Sequence, residues 1–174
     1  MTKESYSKIT RCTRRALAGL PLGERLLSVP TVLCAAGYLA FAAYLALSRD
    51  ARLLPVLVVP ACCFGAATLL RRLINRQRPY DRYGLPPVGR YAAGKGRSLP
   101  SRHTASAAAI ALSFCYACPN AALCAAMCAL ALVIAALRVL SGQHDEWDVL
   151  CAIGLSAVLS FAGYSVFSSP MLPI

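Results

Sequence analysis

The chain has 174 residues, of which 58% are hydrophobic, and a mean hydropathy of +0.58, which is too apolar for an ordinary soluble domain. Eighteen Lys and Arg residues against seven Asp and Glu residues give a formal net charge of +11, which suits an anionic partner such as a lipid headgroup or a phosphorylated substrate. Nucleic acid is not expected as a partner, because the basic residues lie between apolar runs of membrane-spanning length.

Residues 1–25 form a basic segment that precedes the first apolar run. Ile9, Leu17 and Leu20 lie among the cations, a pattern typical of a helix that rests on a membrane surface. A frayed basic tail accounts for the same residues equally well. We therefore expect an N-terminal interfacial segment, helical in the first interpretation and irregular in the second. Its cations are Lys3, Lys8, Arg11, Arg14, Arg15 and Arg25.

Five apolar runs follow and predict an all-α integral membrane bundle with about five transmembrane helices over residues 26–169. Most runs have close to the ~20 residues that span a hydrocarbon core. The third run is shorter, so it either borrows residues 118–120 or lies tilted within the bundle. The runs are Leu26–Leu47, Leu53–Ile74, His103–Cys118, Ala121–Leu140 and Val149–Phe167.

A long polar loop over residues 75–102 separates the second run from the third. A loop of this length inside a compact domain is usually functional. With two arginines at the end of the preceding helix, this region holds half of the basic residues of the chain, and Asp81 is its one acid. The cations are Arg71, Arg72, Arg76, Arg78, Arg82, Arg90, Lys95, Arg97 and Arg102.

Antiparallel alternation of the five helices brings distant polar residues to one side of the membrane. The second helix ends, the third begins, the fourth ends and the fifth begins on that side. Nothing in the composition requires polar residues to meet there, so their convergence predicts one active site at a water–membrane boundary. The residues at these four helix ends are Arg71, Arg78, Ser101, His103, Arg138, His144 and Asp148.

The segment before the fifth run carries the residues with the most specific chemistry. His144 and Asp148 are four residues apart, so they share one face if a helix begins near His144. The carboxylate can hold one imidazole nitrogen protonated and leave the other free to attack or to accept a proton. Arg138 can bind an oxyanion with its planar set of donors. We expect Asp145 and Glu146 to cap the helix, where acids are favourable.

Ser101 and His103 open the third helix. Ser101 is a good N-cap residue, and the free N–H groups of a helix start bind anions. Considered alone, this motif is equally compatible with a simple cap followed by an interfacial histidine.

Three motifs lie at these helix ends, and in this order they resemble the signature of the type 2 phosphatidic acid phosphatase superfamily. The resemblance covers residues 71–148 directly, and the superfamily includes bacterial lipid phosphatases and vanadium-dependent haloperoxidases. The motifs are Arg71-x6-Arg78-Pro79, Pro100-Ser101-Arg102-His103 and Arg138-x5-His144-x3-Asp148.

The resemblance implies a transmembrane phosphatase domain over residues 26–169, with residues 75–102 as its active-site loop. His144 is then the nucleophile that forms a phosphohistidine, Asp148 orients it, and His103 protonates the leaving oxygen. Fixed cations stabilise the phosphoryl transition state, so we expect neither a metal ion nor a cofactor. The residues implied to hold the phosphoryl group are Arg71, Arg78, Ser101, Arg102 and Arg138.

The sequence departs from the family pattern at several places. Arg71 stands where the family usually has Lys, and Leu137 stands where it usually has Ser. Arg102 replaces a Gly, so its side chain is either an extra phosphate ligand or points away from the site. Many members have six spans, whereas five are predicted here.

The implied substrate is a phosphomonoester or diphosphate of a lipid, such as phosphatidate, phosphatidylglycerol phosphate or a polyprenyl phosphate or diphosphate. One alternative is a non-catalytic membrane protein that binds anionic lipids through the basic loop. Another is a vanadate-dependent enzyme resembling a peroxidase. The convergence of both histidines with Asp148 disfavours the first, and the five apolar runs disfavour the second.

The expected setting is the plasma membrane of a bacterium, with the protein crossing it several times. The basic N-terminal segment favours a cytoplasmic start, and two spans then place the site on the cytoplasmic side. Related lipid phosphatases often face outward, so both orientations stay open, and the sequence does not indicate an oligomeric state.

Overall fold

The structure is a computed structural model that describes residues 1–18, 23–89, 91, 94 and 96–168. Within these residues the regular structure is entirely helical. The helices are α1 (Lys3–Ala18), α2 (Gly23–Leu26), α3 (Val29–Leu47), α4 (Leu53–Ile74), α5 (Pro79–Tyr83), α6 (Arg102–Ala117), α7 (Ala121–Leu140) and α8 (Glu146–Ser168). Parts of the predicted segments lie outside the described residues, namely residues 19–22 of the basic segment, Arg90, residues 92–93 and Lys95 of the loop, and residue 169 of the bundle.

The five apolar runs form α3, α4, α6, α7 and α8, which confirms the predicted helical membrane bundle. Helices α4 and α7 have the predicted bounds. Helix α8 begins at Glu146, ahead of the apolar run, because Glu146 and Asp148 in its first turn interact favourably with the positive end of the helix dipole.

Helix α6 is the short central helix of the bundle. Among the described residues, α3, α4, α7 and α8 are long and apolar enough to cross a membrane. Helix α6 has 16 residues, which corresponds to about 24 Å against a hydrocarbon core of about 30 Å. It packs against all four longer helices, so it does not need to span the core by itself.

Small side chains on α6 allow its neighbours to approach closely. Ala107 and Ala111 pack into a cluster with α3 and α7, whereas Ala105 and Ala109 face α4 and α8. Large apolar side chains point outward instead. Leu47 is 87% exposed and Phe161 is 79% exposed, as expected for a surface that contacts lipid.

Helix α1 lies against the loops at one end of the bundle. Its Tyr6 hydroxyl donates to the carbonyl of Leu85 (3.1 Å), and its Thr13 hydroxyl donates to the carbonyl of Leu140 (3.0 Å). Tyr6 and Thr10 are buried, while the cations of α1 are exposed. The described part of the basic segment is therefore helical and docked on the bundle.

Candidate active site

Backbone hydrogen bonds join the helix ends that carry the predicted site residues. The N–H of Ser101, before α6, donates to the carbonyl of Asp148 in α8 (2.9 Å). The N–H of His144 donates to the carbonyl of Arg138 in α7 (3.1 Å), and the N–H of Ser98 donates to the carbonyl of Arg76 after α4 (2.8 Å). The ends of α4 and α7 and the starts of α6 and α8 therefore form one rim of the bundle, which we call the site rim.

His144 and Asp148 form a buried pair at this rim. Nδ1 of His144 lies 3.3 Å from Oδ2 of Asp148, and the two residues are 2% and 0% exposed. An ionised carboxylate only accepts hydrogen bonds, so Nδ1 carries the proton and Nε2 keeps its lone pair. Burial lowers the pKa of His144 below its ordinary value, while the hydrogen bond that Nδ1 donates to Asp148 raises the pKa and only partly offsets the effect of burial. The imidazole is therefore neutral near pH 7.

The guanidinium groups of Arg71 and Arg78 lie near this pair, and that of Arg138 lies near Arg78. Arg71 interacts electrostatically with Arg78 and Asp148, and Arg78 also interacts with Arg138 and His144. Like charges in a partly dry site repel one another, and an anion between them relieves that repulsion. The Nε atoms of Arg78 and Arg138 are buried without a hydrogen-bond partner. The cluster therefore has both the charge and the unused donors to bind a phosphoryl group.

Arg138 is held in place from two sides. Its Nη1 donates to Oε1 of Gln143 (2.9 Å), and its Nη2 donates to the hydroxyl of Thr31 in α3 (3.2 Å). Arg78 is held differently, with its guanidinium carbon 5.6 Å from the ring centroid of Tyr80. Both side chains are thus oriented before any anion arrives, which reduces the reorganisation that binding requires.

Ser101 occupies the N-cap position of α6, as the sequence predicts. Its side chain makes no capping hydrogen bond and instead accepts one from the Thr104 hydroxyl (3.0 Å). The first N–H groups of α6 therefore have no side-chain cap and can donate to an anion. His103, two residues later, is exposed and interacts electrostatically with Arg138 and His144.

Arg102 lies beside the cation cluster and at the mouth of an apolar groove. Its guanidinium carbon is 5.9 Å from the centroid of the Phe64 ring, and it interacts electrostatically with Arg71. The groove has a volume of about 260 Å³ and runs from His103 between α3, α4, α6 and α7. Its lining includes Thr31, Cys34, Phe64, His103, Ile110 and Ile134.

The sequence analysis did not single out Arg76 or Ser98, and both contact Asp148. Nη1 of Arg76 lies 3.2 Å from Oδ1 of Asp148, and the Ser98 hydroxyl donates to Oδ2. Ser98 is fully buried, and its Oγ is also 3.4 Å from Nδ1 of His144. Neither residue follows a helical period, because both lie in the loop, so no pattern in the sequence marks them.

Asp145 has a different role from the predicted helix cap. Its carboxylate pairs with Nη2 of Arg76 at 3.0 Å, while its backbone N–H donates to Oδ2 of Asp148 (3.0 Å). Asp148 therefore caps the start of α8 in the manner of the third residue of a capping box. Burial raises the pKa of Asp145, against the opposing influence of Arg76 and Arg82.

Comparisons with known proteins point to one family. The family model described as PAP2 superfamily matches residues 52–171. Among solved structures, the crystal structure of LpxE from Aquifex aeolicus is similar, with a TM-score of 0.70 and 20% sequence identity over 93% of each chain. At that identity the likeness concerns the fold alone. A comparison with curated proteins found no match.

Proposed function

The chain belongs to the PAP2 superfamily, and from that premise we propose that it is a membrane lipid phosphatase that forms a phosphohistidine intermediate. Its membership and its apolar helices make it a membrane phosphatase of lipid metabolism. One observation supports the proposed phosphohistidine mechanism. The buried pair of His144 and Asp148 lies beside Arg78 and Arg138, whose Nε donors have no partner.

In the first step, the lone pair on Nε2 of His144 attacks phosphorus. The bond between phosphorus and the lipid oxygen breaks, and that oxygen takes a proton from His103. His103 must be protonated for this step, and the phosphate dianion bound beside it favours that form because it offsets the repulsion from Arg138 and Arg102. The imidazole becomes cationic as the bond forms, and Asp148 at 3.3 Å stabilises that charge. General acid catalysis by one histidine typically contributes ~10²–10⁴-fold.

In the second step, water attacks the phosphorus of the phosphohistidine. His103, now neutral, takes the proton from the water, the bond from phosphorus to Nε2 breaks, and inorganic phosphate leaves. His144 regains its lone pair and His103 regains its proton, so the enzyme returns to its starting state.

The arginines supply the electrostatic stabilisation in both steps. A phosphoryl transition state spreads negative charge over three equatorial oxygens, which fixed donors can bind without reorganising. Arg71 and Arg78 carry positive charges near His144, and Arg138 adds a third beside Arg78 and His103. The start of α6, which lacks a side-chain cap, adds N–H donors. We therefore propose that the reaction does not require a metal ion.

The apolar groove supports a lipid substrate. It begins at His103 and Arg102 and continues along Phe64, Ile110 and Ile134, which offer no polar groups to a headgroup. An acyl or prenyl chain can lie there while its phosphate meets the cations at the site rim. The groove does not select between phosphatidate, phosphatidylglycerol phosphate and a polyprenyl phosphate or diphosphate.

The decisive test is phosphate release by the purified protein and by His144→Ala, in detergent micelles containing each of those lipids and a chelator. We expect the wild type to release phosphate from at least one lipid and the variant to fall to background. A labelled substrate should leave an acid-labile phosphoryl group on the wild type after quenching. Wild-type turnover by His144→Ala, or dependence of the wild type on added metal, contradicts the proposal.

The pH profile tests the state of His144. Only the neutral imidazole can attack, so kcat/KM should fall with decreasing pH as His144 becomes protonated, and its lowered pKa places this fall below the ordinary histidine pKa of 6.5. Asp148 raises that pKa, so Asp148→Asn should move the acid limb to still lower pH while reducing kcat. Both proteins act on the same substrate, so ionisation of the substrate affects the two pH profiles equally and does not contribute to the difference between them. An acid limb at the same pH in both proteins assigns it to another group.

A further inference from the structure

The Asp148 carboxylate is bound on both of its oxygens. Oδ2 faces Nδ1 of His144 at 3.3 Å and accepts hydrogen bonds from the Ser98 hydroxyl and from the N–H of Asp145. Oδ1 points the other way and accepts from Nη1 of Arg76 at 3.2 Å. The orientation of the Asp148 carboxylate towards His144 therefore depends on Arg76, which binds the opposite oxygen.

Arg76 also contacts the other partners of Asp148. Its Nη2 donates to Oδ2 of Asp145 at 3.0 Å, and its backbone carbonyl accepts from the N–H of Ser98 at 2.8 Å. One residue thus joins the loop, the start of α8 and the carboxylate into a closed ring of hydrogen bonds. Asp145 and Asp148 are 1% and 0% exposed, and two buried carboxylates this close require a cation.

We propose that Arg76 is a positioning residue, which acts on the reaction by fixing the Asp148 carboxylate against Nδ1 of His144. The expected change in kcat rests on the proposed function. The expected effect on the orientation of Asp148 and on the tautomer of His144 does not. The planar guanidinium suits the task, because it presents two nitrogens to two carboxylates at once, whereas a lysine offers a single point charge.

The arrangement distinguishes Arg76 from the arginines that face the substrate. Both terminal nitrogens of Arg76 are directed at carboxylates. Arg78 and Arg138, in contrast, keep a buried Nε without a partner. Loss of Arg76 should therefore reduce kcat and leave KM unchanged. The substitution displaces the Asp148 carboxylate that orients His144, but it does not displace the arginines proposed to bind the phosphate.

Arg82→Ala provides a matched control for Arg76→Ala. Arg82 lies in the same region, and its Nη1 is 3.8 Å from Oδ2 of Asp145, but the described contacts of Asp148 do not include it. Both variants remove one positive charge near Asp145. Misplacing a catalytic group by about 1 Å can cost ~10²-fold, so we expect Arg76→Ala to lose on the order of 10–10² in kcat. Arg82→Ala should keep wild-type kcat.

Arg76→Lys and Arg76→Gln extend the series. The lysine variant should recover part of the lost kcat, because it keeps one charge–charge contact, and the glutamine variant should recover less. They also supply a folded protein if the alanine variant does not fold. Equal kcat values for Arg76→Ala and Arg82→Ala, or a raised KM at unchanged kcat, overturn the proposal.

Imidazole NMR gives a measurement that does not depend on turnover. The chain has two histidines, so isotope-labelled histidine yields two ring systems, and His103→Gln assigns them. We expect one tautomer of His144, protonated on Nδ1, in the wild type and in Arg82→Ala, and a mixture in the Arg76 variants. An unchanged tautomer in the Arg76 variants overturns the inference. A wild type that releases no phosphate but shows the tautomer change overturns the proposed function instead.

Discussion

The two ends of the helical bundle differ in how their charged side chains are buried and hydrogen-bonded. At the end away from the site, Nη2 of Arg52 pairs with Oδ2 of Asp50 at 2.6 Å, and Nη1 of Arg52 donates to the carbonyl of Ala117 (2.8 Å). The Asn120 side chain accepts from two backbone N–H groups at the start of α7. Asp50, Arg52 and Asn120 are therefore satisfied by near neighbours, at positions that are partly or fully exposed.

At the site rim, similar groups are buried and are not satisfied in the same way. Nε atoms of Arg78 and Arg138 lack partners, Ser101 does not cap α6, and Asp145 has a buried Oδ1 without a donor. The pKa values of the acids follow the difference in burial. Hydrogen bonds from Arg52 lower the pKa of the partly exposed Asp50 to about 2, whereas burial raises the pKa of Asp145 although arginines lie nearby. The end that carries the proposed anion site therefore keeps buried guanidinium nitrogens without partners, whereas Arg52 at the other end is paired with Asp50.

Removing an arginine from each end tests this comparison most directly. Loss of one preorganised donor to a transition-state oxyanion typically costs ~10²–10³ in rate. We therefore expect Arg78→Ala and Arg138→Ala to lose about that much in kcat/KM for lipid phosphate hydrolysis. Arg52→Ala should keep wild-type kinetics, because Arg52 is already paired in water. Equal losses at both ends indicate that the arginines act on folding and not on the substrate.

Gly142 provides a smaller test of how the site rim is held. It has φ +74°, and a Cβ there would lie 2.7 Å from Cγ2 of Thr10 and 2.8 Å from the Tyr6 side chain. Gly142→Ala combines a left-handed backbone with an overpacked contact, so we expect destabilisation by roughly 1–3 kcal/mol. Helix α1 should also detach, which faster tryptic cleavage within α1 would report.

Gly154→Ala is the control for that experiment. Gly154 lies in α8, and no heavy atom is within 4 Å of the added Cβ. Alanine is favoured over glycine inside a helix, so this variant should be at least as stable as the wild type. If α1 stays docked in Gly142→Ala, the contact between α1 and the loop before His144 is not what holds this rim.

Hydrophobic run length and antiparallel alternation were sufficient to predict most of the fold. They give α4 and α7 their observed bounds, and they place Arg138 and His144 at the same end of the bundle as Ser101. The short third run was ambiguous, because its length depends on its central position among longer helices. That position is a property of the whole bundle and has no local signal.

The contacts that orient Asp148 could not be predicted in the same way. Arg76 is one of many cations in the loop, and its distance to Asp145 depends on how the loop folds back over α8. Ser98 meets Asp148 only because the loop returns to the end of α4, where its N–H donates to the carbonyl of Arg76. Loop paths lack the periodicity on which such predictions depend.

The helix caps give the smallest and cleanest contrast between the two ends. Asn120 caps α7 through Ala122 and Leu123, so Asn120→Ala should lower stability by about 1 kcal/mol, as loss of an N-cap usually does. Its phosphate release should not change, since it lies at the other end of the bundle. Ser101→Ala should reduce kcat/KM, and it should also lower stability by about 1–3 kcal/mol, because the buried Thr104 hydroxyl loses its acceptor. Thermal unfolding in detergent and phosphate release, measured on both variants, decide the matter. A loss of activity in Asn120→Ala that matches Ser101→Ala would show that the two ends are coupled through the bundle and do not serve separate purposes.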